Sequence, residues 1–591
     1  MEGRSVSRPP ARPTVTPQLP ALLAAALLAA SCAPGGGSGP GEPAAGPYDV
    51  LITNGRVVDG TGAPWFFGDV AIAGDRIVRV APRGVLNGAR ARTTIDASGR
   101  VVAPGFIDIQ AQSYEPLLAR DGRDVSKITQ GITTEVLGEG GTPAPVNERI
   151  LSSEPRPDTV MDPLREAFTG PHGFGRWLAA MEAHGMSPNV ASFLGAATVR
   201  AYARGMDRGP ASGAELDTMR AVVRRAMEDG ALGVGSALIY PPGSYASTEA
   251  LIAEARAMAP FGGLYITHMR SEGDRLLEAV DEAVRIGREG GVPVEIYHLK
   301  AAGRPNWGKE DALLARIDSA RRTGLDVQAD MYPYAAASTG LTSCLPPWSE
   351  ADGKLYERLG DEAVRDSIRR DVLTPTDAWE QNCRLATPEG VLLVGFEKPA
   401  MQDKWGGKRL SEVAEAMEEP WVDAAMDLIE ADSSRVECVF FLMSEENVRK
   451  QMRRPWIKFG TDAGAFDPDS AEELTHPRAY GSYPRILGRY VREQGVMTLE
   501  EAVRKMTSAT AVRLHLRGRG VLRPGAYADV VVFDPATVID RATYTEPHQL
   551  SEGVGDVLVN GVPVVRDGEV TRAKPGRALR GPGWRPSNEG S

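Results

Sequence analysis

The chain has 591 residues, of which 42% are hydrophobic and 25% charged, and its net charge is −11 at pH 7. This length suits one large domain with additions or two to three ordinary domains, and the apolar content excludes a chain that is disordered throughout. The acidic balance argues against a nucleic-acid-binding protein, which needs a basic face. The 4 cysteines include no CxxC pair, so a zinc site made of cysteines alone is excluded.

The N-terminus has the pattern of an export signal. Three arginines precede an apolar run at 19–30, which is too short to span a bilayer comfortably. Small residues then lead into Cys32, as in a bacterial lipobox, where the cysteine is lipidated. We predict a signal peptide and lipobox over 1–32 and a flexible Gly/Pro-rich tether over 33–47. Simple secretion with cleavage is the alternative.

This pattern predicts an exported protein of a bacterium. It would be periplasmic or anchored in the outer membrane through lipid on Cys32, with no other membrane contact. The sequence gives no indication of an oligomeric state.

Both ends of the remaining chain read as β-structure. Short β-branched segments separated by Gly, Asn and Asp turns follow residue 48, and the same pattern returns towards the C-terminus. Two all-β segments at opposite ends of a chain are most simply one small domain. We therefore predict a β-sandwich built from residues 48–102 and 519–591.

Between these segments, short apolar runs alternate with stretches of helical periodicity. Strand and helix alternating eight times favour an α/β fold of the TIM (β/α)₈ barrel type over residues 103–518, with a doubly wound sheet as the structural alternative. The predicted strands are 105–109, 133–137, 190–194, 232–236, 264–268, 294–298, 327–331 and 457–461. The gap before the last strand is too long for a plain loop. It predicts an inserted subdomain at about 345–450 that could cover the barrel mouth.

A TIM barrel carries its active site where the strands end. His268 and His298 end the fifth and sixth predicted strands, Glu139 follows the second, and Asp462 ends the eighth. Imidazole and carboxylate suit a hydrolytic metal ion that lowers the pKa of bound water, and Asp462 could transfer the proton. A single buried histidine is more simply a core residue, but two at adjacent strand ends beside an acid favour a metal site. Four other histidines lie outside the strand ends and are interpreted as surface residues: His172, His184, His515 and His548.

An ordered set of motifs resembles the D-aminoacylases, the N-acyl-D-amino-acid deacylases of the amidohydrolase superfamily. The motifs are GRVVAPGFID at 99–108, THMR at 267–270, HLK at 298–300 with NWG at 306–308, DMYPYAAAST at 330–339, LPPW at 345–348, TDAG at 461–464 and HPRAYGSYPR at 476–485. The likeness runs from about residue 48 to 580. It implies a TIM barrel with a small β-sandwich and an insert, in agreement with the pattern of elements.

The resemblance also implies roles for individual residues. His268 and His298 would bind one tightly held zinc ion, and Asp462 would be the general acid and base. Further positions would hold the carboxylate of a small acylated amino acid, which suits cationic side chains; these are Lys300, Tyr332, Ser338 and Arg478. A surface charge is the alternative for Arg478, and core packing is the alternative for Tyr332.

Two departures from the family pattern concern the metal. Gln110 and Gln112 stand where amidohydrolases usually carry His-x-His, which makes a second metal ion doubtful. Gly140 stands where the family has a cysteine ligand, and Glu139 precedes it. We predict that Glu139 completes a His₂Glu set, a combination known from hydrolytic zinc. The alternative is that Glu139 is only a turn residue and the site is impaired.

The leading hypothesis is a zinc-dependent amidohydrolase that cleaves N-acyl-D-amino acids to a carboxylate and a free D-amino acid. A cyclic-amide hydrolase and a D-amino-acid dipeptidase are alternatives within the enzyme class. A tethered binding protein without catalysis is the alternative from another class. The pairing of Cys344, Cys383 and Cys438 stays open at this point.

Overall fold

The structure is a computed structural model that describes residues 47–153, 161–471 and 473–585. Cys32, the predicted signal peptide and nearly all of the predicted tether lie outside these residues. Within the described ranges, no helix combines the length and the apolar character needed to cross a membrane.

The central part of the described chain is a ring of eight parallel strands. In chain order they are Phe106–Asp108, Ile132–Leu137, Asn189–Ser192 continued by Leu194–Gly195, Gly233–Ala237, Leu264–His268, Val294–Ile296, Val327–Met331 and Ile457–Phe459. The last strand closes onto the first through a parallel bridge between Ala111 and Ala463. This closure confirms the TIM barrel and rules out an open doubly wound sheet.

The barrel strands carry many buried apolar residues because both of their faces are covered. Val294 and Ile296 are fully buried, as are Ile457 and Phe459. Gly233 has a φ of +156°, and a Cβ there would lie 1.9 Å from the carbonyl oxygen of Leu264. Only glycine allows the fourth strand to approach the fifth so closely.

Helices surround the ring, and their ends follow local capping chemistry. Ser212 accepts a hydrogen bond from the backbone N–H of Glu215 and forms a capping box at the start of Gly213–Asp229. Gly230 ends that helix in the left-handed conformation. Met219 and Val223 bury one face against the core.

The α-helices of the described chain are Tyr114–Ala119, Val125–Ile128, Glu148–Ser153, Asp162–Glu166, Gly173–His184, Ala196–Arg204, Gly213–Asp229, Thr248–Met258, Leu276–Gly290, Glu310–Arg322, Leu355–Leu359, Glu362–Leu373, Asn382–Ala386, Pro399–Trp405, Leu410–Met417, Trp421–Asp432, Glu445–Met452, Arg478–Arg485, Leu499–Met506 and Ser508–Arg513. A π-helical segment, Ile486–Glu493, continues from Arg478–Arg485.

A separate sheet takes strands from both ends of the described chain, as predicted. Its strands are Tyr48–Val57, Phe66–Ala73, Arg76–Pro82, Ala91–Asp96, Val101–Pro104, Val530–Phe533, Val554–Val559, Val562–Arg566 and Glu569–Val570. Val101–Pro104 joins the two ends, because it pairs in parallel with Tyr48–Val57 and antiparallel with Val530–Phe533. Hydrogen bonds link these strands into one sheet.

The insertion between the seventh and eighth barrel strands has its own sheet and core. The strands are Ala337–Gly340, Val391–Gly395 and Glu437–Phe440. The first of them lies before the predicted start of the insertion at 345. The prediction missed this strand because its pairing with the distant Glu437–Phe440 leaves no local signal in the sequence. The cysteine pairing left open by the sequence is resolved: Cys344 and Cys383 form a disulfide, and Cys438 is buried with a free thiol.

Candidate metal centre and active site

Strand ends bring the predicted metal residues to one rim of the barrel. His268 ends the fifth strand, and Glu139 lies in the turn after the second. His298 lies beyond the sixth strand, which ends at Ile296 rather than at the predicted residue 298. The backbone φ is +33° at His298 and +53° at Asp462, and such conformations in residues other than glycine concentrate at functional sites.

The three predicted ligands converge through one oxygen of Glu139. Its Oε1 lies 3.3 Å from Nδ1 of His268 and 3.0 Å from Nε2 of His298. Ligand atoms of the three residues all lie within 4.8 Å of one another. Two imidazoles and a carboxylate are a donor set that hydrolytic zinc uses. The residues present therefore fit one metal ion.

A fourth side chain, Glu272, lies behind both histidines. Its carboxylate is 2.9 Å from Nδ1 of His298 and 3.7 Å from Nε2 of His268, on the ring edges that face away from Glu139. If Nδ1 of His298 carries the proton, it donates to Glu272 and Nε2 is left free as a ligand. Carboxylates in this position orient metal-binding imidazoles and increase their basicity.

Glu272 also holds Lys300. The Lys300 ammonium lies 2.8 Å from each Glu272 oxygen, and both side chains are buried. The attraction of Lys300, together with His268 and His298, holds the pKa of Glu272 far below its usual range even though burial raises it. This carboxylate is therefore ionised at any working pH.

The glutamines at the His-x-His position contact both acidic side chains of the site. The Gln110 amide donates to Oε2 of Glu139 at 2.6 Å and to Oδ1 of Asp462 at 3.1 Å. The Gln112 amide donates to the same two oxygens at 3.2 Å and 3.0 Å. Four N–H···O contacts thus hold together two carboxylates that would otherwise repel each other.

Gly140 has no room for the family's cysteine. Its φ is +68°, and a Cβ at this position would lie 2.7 Å from Cβ of Ala237. A side chain here would be strained by the backbone and by this contact. In this turn the residue that reaches the histidines is Glu139.

Asp462 is the candidate proton-transfer group. Burial raises the pKa of its carboxyl to about 6; the Arg478 guanidinium opposes the rise and the Glu139 carboxylate adds to it. Arg478 donates to Oδ2 of Asp462 at 2.6 Å. A carboxyl group with a pKa near neutrality can both accept and donate a proton under working conditions.

The backbone next to Asp462 is held by hydrogen bonds to the first barrel strand. Asp108 accepts hydrogen bonds from the backbone N–H of Thr461 at 2.9 Å and from the Thr461 hydroxyl at 2.6 Å. The fully buried Lys127 ammonium lies 2.9 Å from the same Asp108 carboxylate. This network ties the first strand to the end of the eighth.

All eight predicted site residues line one cavity of about 660 Å³: Glu139, His268, His298, Lys300, Tyr332, Ser338, Asp462 and Arg478. Insertion residues such as Val394 and Leu442 line it as well. The insertion therefore covers the barrel mouth.

The predicted carboxylate-binding residues already have partners in the protein. The Arg478 guanidinium lies 4.7 Å from the Tyr332 ring centre and donates to the Ser338 carbonyl at 3.2 Å. The Ser338 hydroxyl donates to the Cys438 carbonyl at 2.9 Å. Because Lys300 is paired with Glu272 and Arg478 with Asp462, a substrate carboxylate would have to share these cations.

The sequence reasoning did not single out Glu272 or Tyr240. Tyr240 packs edge-on against His268, with ring centres 5.5 Å apart, and donates to the Thr339 hydroxyl at 2.9 Å. Glu272 comes four residues after His268 in the loop that follows the fifth strand. An acid close behind a predicted ligand was the available signal for it.

The histidines outside the motifs lie away from the cavity. His172, His184 and His515 are exposed, and His548 is partly buried, as expected for surface residues. His476 is buried; its ring accepts the backbone N–H of Arg478 at 2.9 Å and lies 3.0 Å from the Ala336 carbonyl. It fixes the start of the helix that carries Arg478.

The chain is similar in sequence and fold to known proteins. The chain is 35% identical over 538 residues to a D-aminoacylase of Alcaligenes xylosoxydans xylosoxydans, which covers 90% of this chain and 98% of that enzyme. A D-aminoacylase structure from work on one-metal activation and second-metal attenuation at a binuclear centre has a TM-score of 0.74 at 34% identity, covering 90% of this chain and 100% of that one.

A crystal structure of N-acyl-D-glutamate deacylase from Bordetella bronchiseptica, complexed with zinc and a phosphonate inhibitor, has a TM-score of 0.72 at 33% identity, covering 90% of this chain and 100% of that one. The model of an amidohydrolase family matches residues 435–565. Together with the barrel, the insertion and the sheet from both ends, these similarities confirm the predicted fold. The chain belongs to the D-aminoacylase family of amidohydrolases, the N-acyl-D-amino-acid deacylases.

Proposed function

We propose that the protein is a zinc-dependent amidohydrolase that cleaves N-acyl-D-amino acids to a carboxylate and a free D-amino acid. The main support for this proposal is that Glu139, His268 and His298 of this chain converge beside Asp462. The chain also belongs to the D-aminoacylase family. The D-configuration and the acylated substrate follow from the names of the relatives, a D-aminoacylase and an N-acyl-D-glutamate deacylase.

Glu139, His268 and His298 would hold the ion. Zinc, when bound, supplies Lewis acidity towards the amide carbonyl and makes water more acidic. Asp462 takes the proton from the attacking water and returns it to the nitrogen of the departing amino acid. The Gln110 and Gln112 amides donate to Oδ1 of Asp462, and Arg478 donates to Oδ2. These hydrogen bonds fix the position of the carboxylate that transfers the proton.

Arg478 and Lys300 bind the free α-carboxylate of the substrate, with Tyr332 and Ser338 completing its subsite. The planar guanidinium suits bidentate recognition of a carboxylate. Arg478 connects this subsite to Asp462 directly. A bound substrate carboxylate is therefore held within reach of the group that transfers the proton.

One experiment tests the activity. The purified, zinc-loaded protein is incubated with matched N-acetyl-D- and N-acetyl-L-amino acids, and the released amine is measured. We expect turnover of the D-substrates, and a fall of about 10²- to 10⁴-fold in Asp462→Asn because proton transfer is lost. Asp469→Asn, at an exposed position of the following loop, is the matched control. No turnover of any acylated amino acid by the zinc-loaded protein would contradict the proposal.

We also propose that the protein is exported and lipidated on Cys32. Disulfides persist in oxidising compartments and are rare in the cytosol, so the Cys344–Cys383 disulfide supports export. Expression of the full chain in a Gram-negative host should place it in the membrane fraction, and Cys32→Ala should release it or leave it unprocessed. Equal soluble, cytosolic recovery of both proteins would contradict the anchor.

A further inference from the structure

A short stretch of the insertion, residues 380–384, lies on the loop that follows the fifth barrel strand. One carboxylate oxygen of Glu380 accepts three hydrogen bonds from that loop: 2.8 Å from the Ser271 hydroxyl, 2.6 Å from the backbone N–H of Glu272 and 2.9 Å from the backbone N–H of Gly273. Three donors on one oxygen fix the backbone of this turn.

The turn held by Glu380 carries the side chain that lies behind the metal site. While the Glu272 backbone donates to the insertion, its carboxylate points to Nδ1 of His298 and to the Lys300 ammonium. Movement of this turn would move the carboxylate that orients the imidazoles. Glu380 thus acts on the metal ligands through Glu272, without touching them.

The same stretch of the insertion carries a disulfide. Cys383 lies in the helix Asn382–Ala386, three residues after Glu380, and is bonded to Cys344. Cys344 ends a 3-10 turn that follows directly on the strand Ala337–Gly340. The disulfide therefore fastens the Glu380 stretch to the sheet of the insertion.

Other contacts also hold the stretch: the Gln381 amide donates to the Val372 carbonyl at 2.9 Å, and Cys383 is buried in the core of the insertion. The Asn382 amide donates to the Ser343 hydroxyl at 3.1 Å, and Arg384 pairs with Asp274 at a partly exposed position. Hydrogen bonds and surface ion pairs of this kind contribute little net free energy. The covalent link is the restraint on the Glu380 stretch that a change of redox state would remove.

We propose that Glu380 is a positioning residue for the metal centre and that the Cys344–Cys383 disulfide keeps it in place, so that retention of the metal ion depends on the oxidised state of the insertion. The inference rests on the proposed function, because it concerns the same zinc ion. It extends the site from the barrel rim into the insertion.

Reduction is a defined chemical step. A water-soluble phosphine attacks the disulfide; the S–S bond breaks, the phosphine is oxidised to its oxide with an oxygen atom from water, and Cys344 and Cys383 become thiols. A phosphine is preferred to a dithiol, since thiolates would themselves bind zinc.

The test measures zinc release from the full protein to a chromogenic chelator, together with kcat and KM. We expect Glu380→Ala to release zinc about 10-fold faster or more, the usual size for loss of an outer carboxylate contact. Glu380→Gln retains an acceptor oxygen and should stay near the unmodified protein. Glu389→Ala, at an exposed position of the same insertion, is the control. We expect kcat to fall more than KM rises, since substrate-binding side chains are unchanged.

The second part of the test breaks the disulfide, either with the phosphine or in the Cys344→Ser/Cys383→Ser variant. Both should accelerate zinc release as Glu380→Ala does, and the phosphine should add little to Glu380→Ala because the two act through one contact. Unchanged zinc release in Glu380→Ala, or in the phosphine-treated protein, would overturn the inference. If the unmodified protein neither binds zinc nor hydrolyses acylated amino acids, it is the proposed function that fails.

Discussion

The two oxygens of Glu139 face different partners, and this division predicts one metal ion rather than two. Oε1 faces His268 and His298, whereas Oε2 accepts from Gln110 and Gln112. A neutral amide is a weak ligand for zinc, but it donates well to a carboxylate. The glutamines therefore do by hydrogen bonding what a second cation would do by charge: they hold Glu139 and Asp462 together.

This arrangement predicts a change in metal stoichiometry. The Gln110→His/Gln112→His variant should bind a second zinc ion, because two imidazoles join the oxygens of Glu139 and Asp462 that the glutamine amides no longer occupy. The unmodified protein should bind one, even in excess zinc. Elemental analysis after desalting and a calorimetric titration measure both. Two tight ions in the unmodified protein, or one in the variant, would contradict this account of the glutamines.

The environment of Asp462 predicts the acidic limb of the pH–rate profile. Burial raises the pKa of this carboxyl to about 6, so it stays protonated at pH values where an exposed aspartic acid is ionised. A protonated Asp462 cannot accept a proton from water. The acidic limb of kcat/KM should therefore have an apparent pKa at or slightly below 6, and the rate should fall tenfold per pH unit below it. Zinc content measured at each pH separates this effect from metal loss. A limb near 4 would contradict it.

The contacts of single site residues differ in how far they could be predicted from the sequence. The approach of Glu139 to the two histidines was predictable because Glu139 follows a strand that ends at the rim. Glu272 was missed: its place four residues after His268 was a signal, but its approach to His298 depends on how the loop folds back. The same holds for Glu380, which meets that loop from a distant part of the chain.

At the level of elements, helices with a clear apolar period were predicted well. Thr248–Met258 and Glu310–Arg322 each bury a regular apolar face, and Ser247 caps the first of them. The sixth strand was predicted two residues too long. Its apolar pattern continues through Tyr297, but His298 turns away with a positive φ to meet Asp330.

One helix carries a buried acid whose titration should affect stability. Burial raises the pKa of Glu254 in Thr248–Met258 to about 8, with Arg200 opposing, and Oε2 of Glu254 has no hydrogen-bond partner among the described residues. Because its pKa is higher in the folded than in the unfolded chain, its contribution is present below about pH 4.5 and is lost as pH rises to about 8.

Glu254→Gln should remove this loss. We expect a gain on the order of 2–4 kcal/mol at pH 8 and little change at pH 5, measured by urea unfolding at both pH values. Glu249→Gln, at an exposed position of the same helix, should change stability little at either pH. Equal effects of Glu254→Gln at pH 5 and pH 8 would show that its charge is not the cause.

At the scale of the whole molecule, the terminal sheet and the barrel are joined by buried hydrogen bonds. Asn189, at the start of the third barrel strand, accepts from the Asn560 amide at 2.8 Å and donates to the Thr133 carbonyl at 3.0 Å. Asn560 in turn accepts from Arg519 at 3.0 Å. The sheet is thereby part of the support of the barrel.

Asn189→Ala should destabilise the protein by about 1–3 kcal/mol, because buried partners lose their hydrogen bonds. The double variant with Asn560→Ala should cost less than the sum of the single variants, since the two residues share a contact. Denaturant unfolding measures all three. If the two losses of stability simply add, Asn189 and Asn560 do not act as one hydrogen-bond network.

The overall architecture followed from the alternation of strands and helices and from the β-rich ends, because those patterns are local. The disulfide and the start of the inserted sheet did not follow, because Cys344 pairs with Cys383 and Ala337 with Phe440 only once the insertion is folded. Long-range pairing of this kind leaves no periodic signal in the sequence.

The most direct test of the proposed metal site is the zinc content of the protein after exhaustive desalting, compared with Glu139→Ala and with the exposed control Glu249→Ala. We predict about one tightly held zinc ion per chain in the unmodified protein and the control, and loss of that ion in Glu139→Ala, since Oε1 of Glu139 completes the site with His268 and His298. Full zinc retention in Glu139→Ala, or no zinc in the unmodified protein even after zinc addition, would contradict the account.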